Sequence, residues 1–525
     1  MTTNQPINTP LDELEAAKGG EKWGPQRITR GRRDVITAFV RNPSNSSVLL
    51  VKRSEKVNTY KLHWGGVSGV VEGDENLLKR AEQEILEEVG YASDQIKFVR
   101  TGRPLYVDDN SGKLYFVVHP FLFDLKGSNK ASDDDHILPK LNWENLEAQF
   151  VPPQSLKKSP QQPLVPQLAE TVDRVLMPPH QESIINKLKK DRHHGAAQLA
   201  VWILDALEEE IHRFRNRNIE NFTSDEVNGP NLLEQLRNFG YHLSCCRPSM
   251  APLATTTARV LSSAHKSLHN MASPFDVTVE EVCLVALQAI KRERENLKTR
   301  NSRLLRHAME LIDDTMTIMT LSKSSSVSAV VNEALKQENK EIKIIICESR
   351  PLCEGVTAAL NWADAGAEVT IITDAQAGVF VKQADLVLIG ADAVNTEHVY
   401  NKVGTHLLAL AAKEVKVPFY ALADSSKICP GSLEKLAHPG VALSEDLGEE
   451  KGIEEVIQGW LGGTERSEGG DSGLKLIVRN VYFEGTPVDL VTGVVTEHGV
   501  MDAEAIGKEV GRIKEVYVEA FQLQI

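Results

Sequence analysis

The sequence contains no run of about 18 apolar residues, the length a helix needs to cross a bilayer, so no membrane span is expected. Its start, MTTNQPINTPLDELEAAKGGEKWG, has no basic stretch leading into an apolar core, which argues against a secretory leader. CxxC pairs are also missing. The six cysteines (Cys245, Cys246, Cys283, Cys347, Cys353 and Cys429) are scattered, as reduced thiols are in a cytoplasmic or nuclear protein; the cytoplasm is the expected location. Basic charge is not in excess: 59 Lys and Arg against 73 Asp and Glu leave a net charge of −14. With no stripe of interleaved aromatic and basic residues, nucleic acid is not an expected partner, although a local basic site for phosphate stays open. No repeat of fixed short period is present.

What is present is a chain of 525 residues, too long for one ordinary core, so two or three domains are expected. Residues 1–32 are polar and read as a mobile tail. From Arg33 to residue 157, short Val-, Leu- and Phe-rich runs (RDVITAFVRN, SSVLLVKRS, LYFVVHPFLFDL) surround one amphipathic segment, LLKRAEQEILEEV. In that segment Leu77, Leu78, Ala81, Ile85 and Val89 recur at helical spacing, and the pattern predicts a compact α+β unit. Proline-rich residues 158–180 read as a linker. Residues 181–300 are helix-dominated. From 301 to 525, β-branched runs such as KIIICES and LVLIG alternate with helical stretches, predicting a mostly parallel sheet with ligand sites at its carboxyl edge. The fold class is thus multidomain α/β.

The strongest chemical signal lies between Gly69 and Tyr91. Glu84, Glu87 and Glu88 stand at i, i+3 and i+4, which puts three carboxylates on one helix face. They repel one another unless a cation sits among them, and hard oxygen donors suit Mg²⁺ or Mn²⁺. Glu75 falls near the helix start, and Gly69 and Gly73 permit tight turns before it. A bare ExxEE is an ordinary solvated acidic face. The longer string is not ordinary. It resembles the Nudix box: a glycine, five residues, a glutamate, seven residues, then REUxEExGU with U apolar. Gly69, Glu75, Glu84, Ile85, Glu87, Glu88 and Gly90 fall on matching positions. The resemblance, over residues 33–157, implies a Nudix fold and metal-assisted attack of water on phosphorus in a nucleoside diphosphate derivative. Glu87 and Glu88 would ligate the metal, and Glu84 would ligate it or act as general base. Two positions depart from the pattern: Gln83 replaces the arginine and Tyr91 the aliphatic residue. Arg80, one turn before Glu84, is placed to compensate for Gln83. Glu144 and Glu147 are weaker carboxylate candidates, read first as a solvated strand face.

In the second half, ESRPLCEG follows a predicted strand and enters a helix, setting Arg350 beside backbone amides that face an anion. GADAVNTEHVYNKVGT sets Asp392 at a strand end and Asn401-Lys402 before a helix, and RPSMAPL sets Arg247 in a turn between helices. One such arginine is commonly a surface or ion-pair residue. Together with VTIITDAQAG and VRNVYFEGTP, these strings resemble the family that unites initiation factor 2B alpha, beta and delta subunits with methylthioribose-1-phosphate and ribose-1,5-bisphosphate isomerases. The resemblance spans about 190–495. It implies a helical subdomain, a Rossmann-like subdomain, a homo-oligomer of at least two copies, and a pocket for a phosphorylated pentose lined by Arg247, Arg350, Asn401 and Lys402. Asp392 matches the isomerases. Their catalytic cysteine does not appear: Ser322 stands there, a hydroxyl of much higher pKa than a thiol. The alternative to an enzyme is an initiation-factor-like regulatory or assembly protein.

Overall fold

In a computed structural model the described residues are 31–108, 114–126, 138–156, 162–191, 194–220, 228–271, 277–337, 340–438, 450–458 and 477–524. The N-terminal unit contains β1 (Gly31–Arg41), β2 (Val48–Arg53), β3 (Trp64–Gly65), β4 (Val67–Val70), α1 (Leu77–Val89), β5 (Ile96–Thr101), β6 (Leu105–Asp108), β7 (Leu114–Leu125), β8 (Asn145–Val151) and α2 (Leu168–Asp173). Its mixed sheet runs β3-β2-β1-β7-β5, with β4 on β1, β6 on β7 and β8 on β2. Alternation along β1 serves two faces. Ile36, Ala38 and Val40 meet the apolar side of α1. Phe39 joins Leu168, Val172 and Val175 on the opposite side.

Two boundaries differ from the sequence reading. The expected tail reached residue 32, yet Gly31 and Arg32 already pair with Leu114 and Tyr115; the rest of that segment lies outside the described residues. The expected linker at 158–180 includes α2, and Leu164 bridges to Trp64. Pro163 and Pro166 fall before α2, and Pro178 and Pro179 at the start of the next helix, where a missing N–H removes no helical bond.

The helical layer holds α3 (Pro179–Lys190), α4 (Ala196–Glu220), α5 (Gly229–Cys245), α6 (Ala251–Met271) and α7 (Val279–Met309). Thr278 and Glu281 close a reciprocal cap at the start of α7. That helix runs through the boundary expected at 300, because Leu304 and Ala308 continue its apolar face onto the second sheet.

The second sheet is built from β9 (Thr315–Leu321), α8 (Ser325–Leu335), β10 (Glu341–Cys347), α9 (Glu354–Asp364), β11 (Glu368–Ile372), α10 (Ala377–Phe380), β12 (Leu386–Gly390), β13 (Ala393–Val394), β14 (His398–Lys402), α11 (Thr405–Val415) and β15 (Phe419–Leu422). After it come α12 (Leu433–Ala437), α13 (Glu454–Ile457), β16 (Phe483–Pro487), β17 (Gly493–Thr496), β18 (Gly499–Met501) and α14 (Ala503–Phe521). Strand order is β11-β10-β9-β12-β15-β17-β18. All neighbours are parallel except β17 and β18. Helices cover both faces, as a parallel sheet requires. The last helix returns to the helical layer, where Ile513, Tyr517 and Phe521 are buried. Among the described residues no helix is long and apolar enough to cross a membrane.

Candidate functional sites

Helix α1 is fixed at both ends. The Asn76 side chain accepts from Lys79 N–H at 3.0 Å, and Gly90, at φ 76°, closes the last turn in a left-handed conformation that glycine adopts without strain. This rotation buries Ile85 and Val89 and draws Glu84 and Glu88 to the edge of the core, while Glu87 stays exposed. Glu84 lies against β4: a Cβ on Gly69 would come within 2.0 Å of Glu84 Oε1. Glu88 accepts from Ser68 N–H at 3.0 Å and from Asn145 Nδ2 at 2.7 Å. Gln83 donates to Glu87 at 2.7 Å, and Arg80 contacts Glu84, the partner foreseen for it. Burial pushes the Glu84 carboxyl up to about 7; Arg80 opposes this, and the Glu87 and Glu144 charges add to it. Burial also pushes Glu88 up to about 7, against the bonds from Asn145 and Ser68.

The site is therefore a set of hard oxygens whose joint ionisation is unfavourable, and that donor chemistry fits a divalent cation. As the side chains stand, each carboxylate is held by a different protein group, and among the described residues no three such donors converge on one point. Glu144 acts on both Glu84 and Glu88 through its charge, whereas Glu147 pairs with Lys52 at 2.7 Å on the strand face.

At the carboxyl edge of the second sheet, β9, β10 and β12 end together. Ser322, Ser349 and Cys353 in the loops there all have positive φ (64°, 62° and 54°), strained backbone of the kind that gathers at functional sites. Gly390 at the end of β12 leaves room for Ser324 and Asn401; a Cβ would sit 2.4 Å from Ser324 Oγ. Asn401 Nδ2 donates to Thr405 Oγ1 at 3.1 Å. Lys402 is buried, 2.8 Å from Glu354 and 4.2 Å above the Tyr482 ring. Asp392 is half-buried, and its carbonyl accepts from Ala251 N–H at the start of α6. In the turn before α6, Arg247 donates from Nη1 to the Asp191 carbonyl at 3.3 Å. Arg350 is exposed and its Nη2 reaches the Val456 carbonyl at 3.4 Å. The first amides of α11, from Gly404 and His406, are taken by Glu484 at 2.7 and 2.9 Å. Two of the buried thiols are poorly suited to replace the missing one: burial pushes Cys347 up to about 12 and Cys429 up to about 11.

A family model for the initiation factor 2 subunit family matches residues 192–503. The chain belongs to that family. A NUDIX domain model matches residues 31–175, so an N-terminal NUDIX domain precedes the family domain. A translation initiation factor eIF-2B subunit 2-like protein of Pyrococcus abyssi is 31% identical over 334 residues, 63% of this chain and 96% of that protein. The ribose 1,5-bisphosphate isomerase of Methanocaldococcus jannaschii is 28% identical over 320 residues, 60% of this chain and 89% of that one. The solved translation initiation factor eIF-2B of Pyrococcus horikoshii OT3 aligns at a TM-score of 0.46 and 26% identity, over 62% of this chain and 98% of that one.

The sequence reading passed over several residues that hold these sites. Glu354 lies inside the quoted ESRPLCEG string, but only the fold sets it against Lys402. Asn145, one residue beyond Glu144, gave no signal of its own, since a buried amide on a carboxylate is a tertiary contact. Tyr482 lies in the family string VRNVYFEGTP and covers the Lys402 ammonium, a favourable cation–π contact.

Proposed function

We propose that the NUDIX domain hydrolyses the diphosphate linkage of a nucleoside diphosphate derivative with Mg²⁺ or Mn²⁺. The observation that carries this reading is the cluster of Glu84 and Glu88, both poised near neutrality against β4, beside Glu87. Glu84, Glu87 and Glu88 would hold the cation, which when bound polarises the phosphate and acidifies water. Glu84, ionising at about 7, is matched to accept the proton of the attacking water. Asn145 and the Ser68 amide fix Glu88 in place. Arg80 offsets the Gln83 substitution by bringing positive charge onto Glu84.

The second domain, in this reading, binds a phosphorylated pentose through Arg247, Arg350, Asn401 and Lys402, with Asp392 toward the sugar and Ser322 at the acid–base position. A sugar phosphate released by the first domain is then a natural ligand of the second. A second reading, a non-catalytic sensor or homo-oligomeric assembly domain, is favoured by one arrangement: Lys402 and the first amides of α11 already have carboxylate partners, Glu354 and Glu484.

A phosphate-release assay over a panel of nucleoside diphosphate derivatives, with and without Mg²⁺, tests the hydrolase. Turnover is expected in the native protein and a loss of at least about 100-fold in Glu87→Gln, as for removal of one transition-state stabiliser. Equal rates in the two proteins would sink the assignment. Calorimetry with ribose 1,5-bisphosphate tests the pocket, and heat lost in Lys402→Gln supports it. Conversion of that ligand to a ketose separates enzyme from sensor.

A further inference from the structure

His119 on β7 and His438, just past α12, meet across the boundary between the two domains. Their Nδ1 atoms are 2.8 Å apart and their ring centroids 5.1 Å apart. Both rings are shut away from solvent, at 1% and 0% exposure. Each outer nitrogen has a defined partner. His438 Nε2 lies 2.8 Å from the Gly102 carbonyl, which can only accept, so this nitrogen carries a proton. His119 Nε2 lies 2.8 Å from Asp34 Oδ1. Burial works against ionisation of Asp34, yet the bonds from His119 and from Arg32, at 2.9 and 2.8 Å, outweigh it and hold the carboxyl well below its ordinary range. An ionised carboxylate also only accepts, so His119 Nε2 is protonated too.

Two neutral rings with both outer nitrogens protonated would meet lone pair against lone pair at 2.8 Å. One additional proton between the Nδ1 atoms removes that repulsion and gives the pair a single positive charge facing Asp34. Burial drives His438 well below the ordinary imidazole value, and the neighbouring His119 adds to that. Arg32 on β1 faces the pair through Asp34, Tyr106 on β6 and Tyr115 on β7 act on Arg32, Tyr241 on α5 packs edge-on against His438, and the His438 amide donates to the Glu434 carbonyl of α12.

Arg32, Asp34 and His119 also line a cavity of about 700 Å³ beside the loop from Val70 to Glu75 that leads into α1. Arg80, 3.8 Å from Glu75, connects that loop to Glu84. We propose that His438 is a positioning residue for the NUDIX domain: through a proton shared with His119 it holds Asp34 and Arg32 as one wall of the cavity that takes the non-reacting half of the substrate. The NUDIX site is then complete only with the initiation-factor-family domain docked. The kinetic consequence rests on the hydrolase reading; the shared proton does not.

The test compares full-length protein with His438→Phe, which removes the acceptor, and His438→Gln, whose amide oxygen restores one. In ¹⁵N spectra of histidine-labelled native protein at pH 7, both His119 ring nitrogens are expected to be protonated, and only one in His438→Phe. With the best substrate of the panel, KM should rise about fivefold in His438→Phe with kcat within twofold, and return toward native in His438→Gln. A singly protonated His119 in the native protein overturns the inference, as does a native KM in His438→Phe. Should His438→Phe lose its native circular dichroism, the native spectrum decides alone. Absence of hydrolysis with every substrate would sink the hydrolase reading while the spectra still judge the proton.

Discussion

Gly69 does its work by lacking a side chain. Its backbone runs along β4, paired with Ile36, in an extended conformation open to any residue, so flexibility is not the reason for glycine here. Space is the reason. A methyl group would lie 2.0 Å from Glu84 Oε1 and 2.6 Å from its Cγ, and side chains do not approach so closely. Gly69→Ala must therefore push Glu84 off the strand and away from Arg80. A displacement of about 1 Å at a reacting group lowers turnover by roughly 100-fold. The expected result is a fall in kcat of that order, with a melting temperature that still reports a folded NUDIX domain. An unchanged kcat would mean that β4 does not set the position of Glu84.

Helix α1 shows how far an element can be read before it is seen folded. Its span and its glycine stop follow from spacing, whereas the burial of Glu84 and Glu88 with Glu87 left exposed does not. The Arg80 contact with Glu84 follows too, since i and i+4 neighbours meet on any helix. Asn145 and Ser68 as partners of Glu88 could not be read, because β8 and β4 reach α1 only through sheet pairing. The same limit applies to α2, whose proline-rich surroundings read as a linker, and to Glu354 against Lys402. Folding of α1 also sets a pH dependence. Burial raises Glu84 from an ordinary 4.5 to about 7, so the folded state holds this proton more tightly than the unfolded chain. The contribution favours the fold below about 4.5 and is lost as pH rises through 7. In chelator, the melting temperature of Glu84→Gln relative to native protein should shift in the variant's favour by about 5–10 °C between pH 5 and pH 8, from roughly 2.5 kcal/mol at about 2–4 °C per kcal/mol. Added Mg²⁺ should reverse part of that shift at pH 8 by stabilising the native carboxylates. A gap that stays constant with pH would show that Glu84 ionises normally.

Across the whole molecule, the two domains are joined by polar contacts that range from buried to exposed. Thr101 donates to Glu434 at 2.6 Å, His242 Nε2 lies 2.9 Å from the Arg174 carbonyl, and the Gln524 amide donates to the Tyr106 hydroxyl at 2.8 Å. At the centre Glu234 of α5 faces three guanidiniums. Arg103 and Arg174 come from the NUDIX side, and Arg237 from the same helix as Glu234. Burial alone would raise the Glu234 carboxyl, but Arg103, Arg237 and Arg174 together bring it down to about 2. A depressed carboxylate stabilises above its ordinary 4.5, and the stabilisation fades only as pH falls toward 2, so mild acid should leave the domains docked. The two ends of this network are not equivalent. Arg103→Gln leaves Glu234 with two cations, whereas Glu234→Gln takes the carboxylate from Arg103, only 2% exposed, and from Arg237, while Arg174 keeps Glu170 at 2.8 Å. Removing one partner of a buried pair costs on the order of 3–5 kcal/mol, and with the Glu234 side chain 36% exposed to screening water the cost here lies at or below the lower end of that range. Calorimetry of Glu234→Gln should therefore show the NUDIX domain melting apart from the family domain, with Arg103→Gln intermediate. Equal effects from the two variants would mean that the carboxylate is not the hub of the interface and that docking depends on the apolar contacts around it.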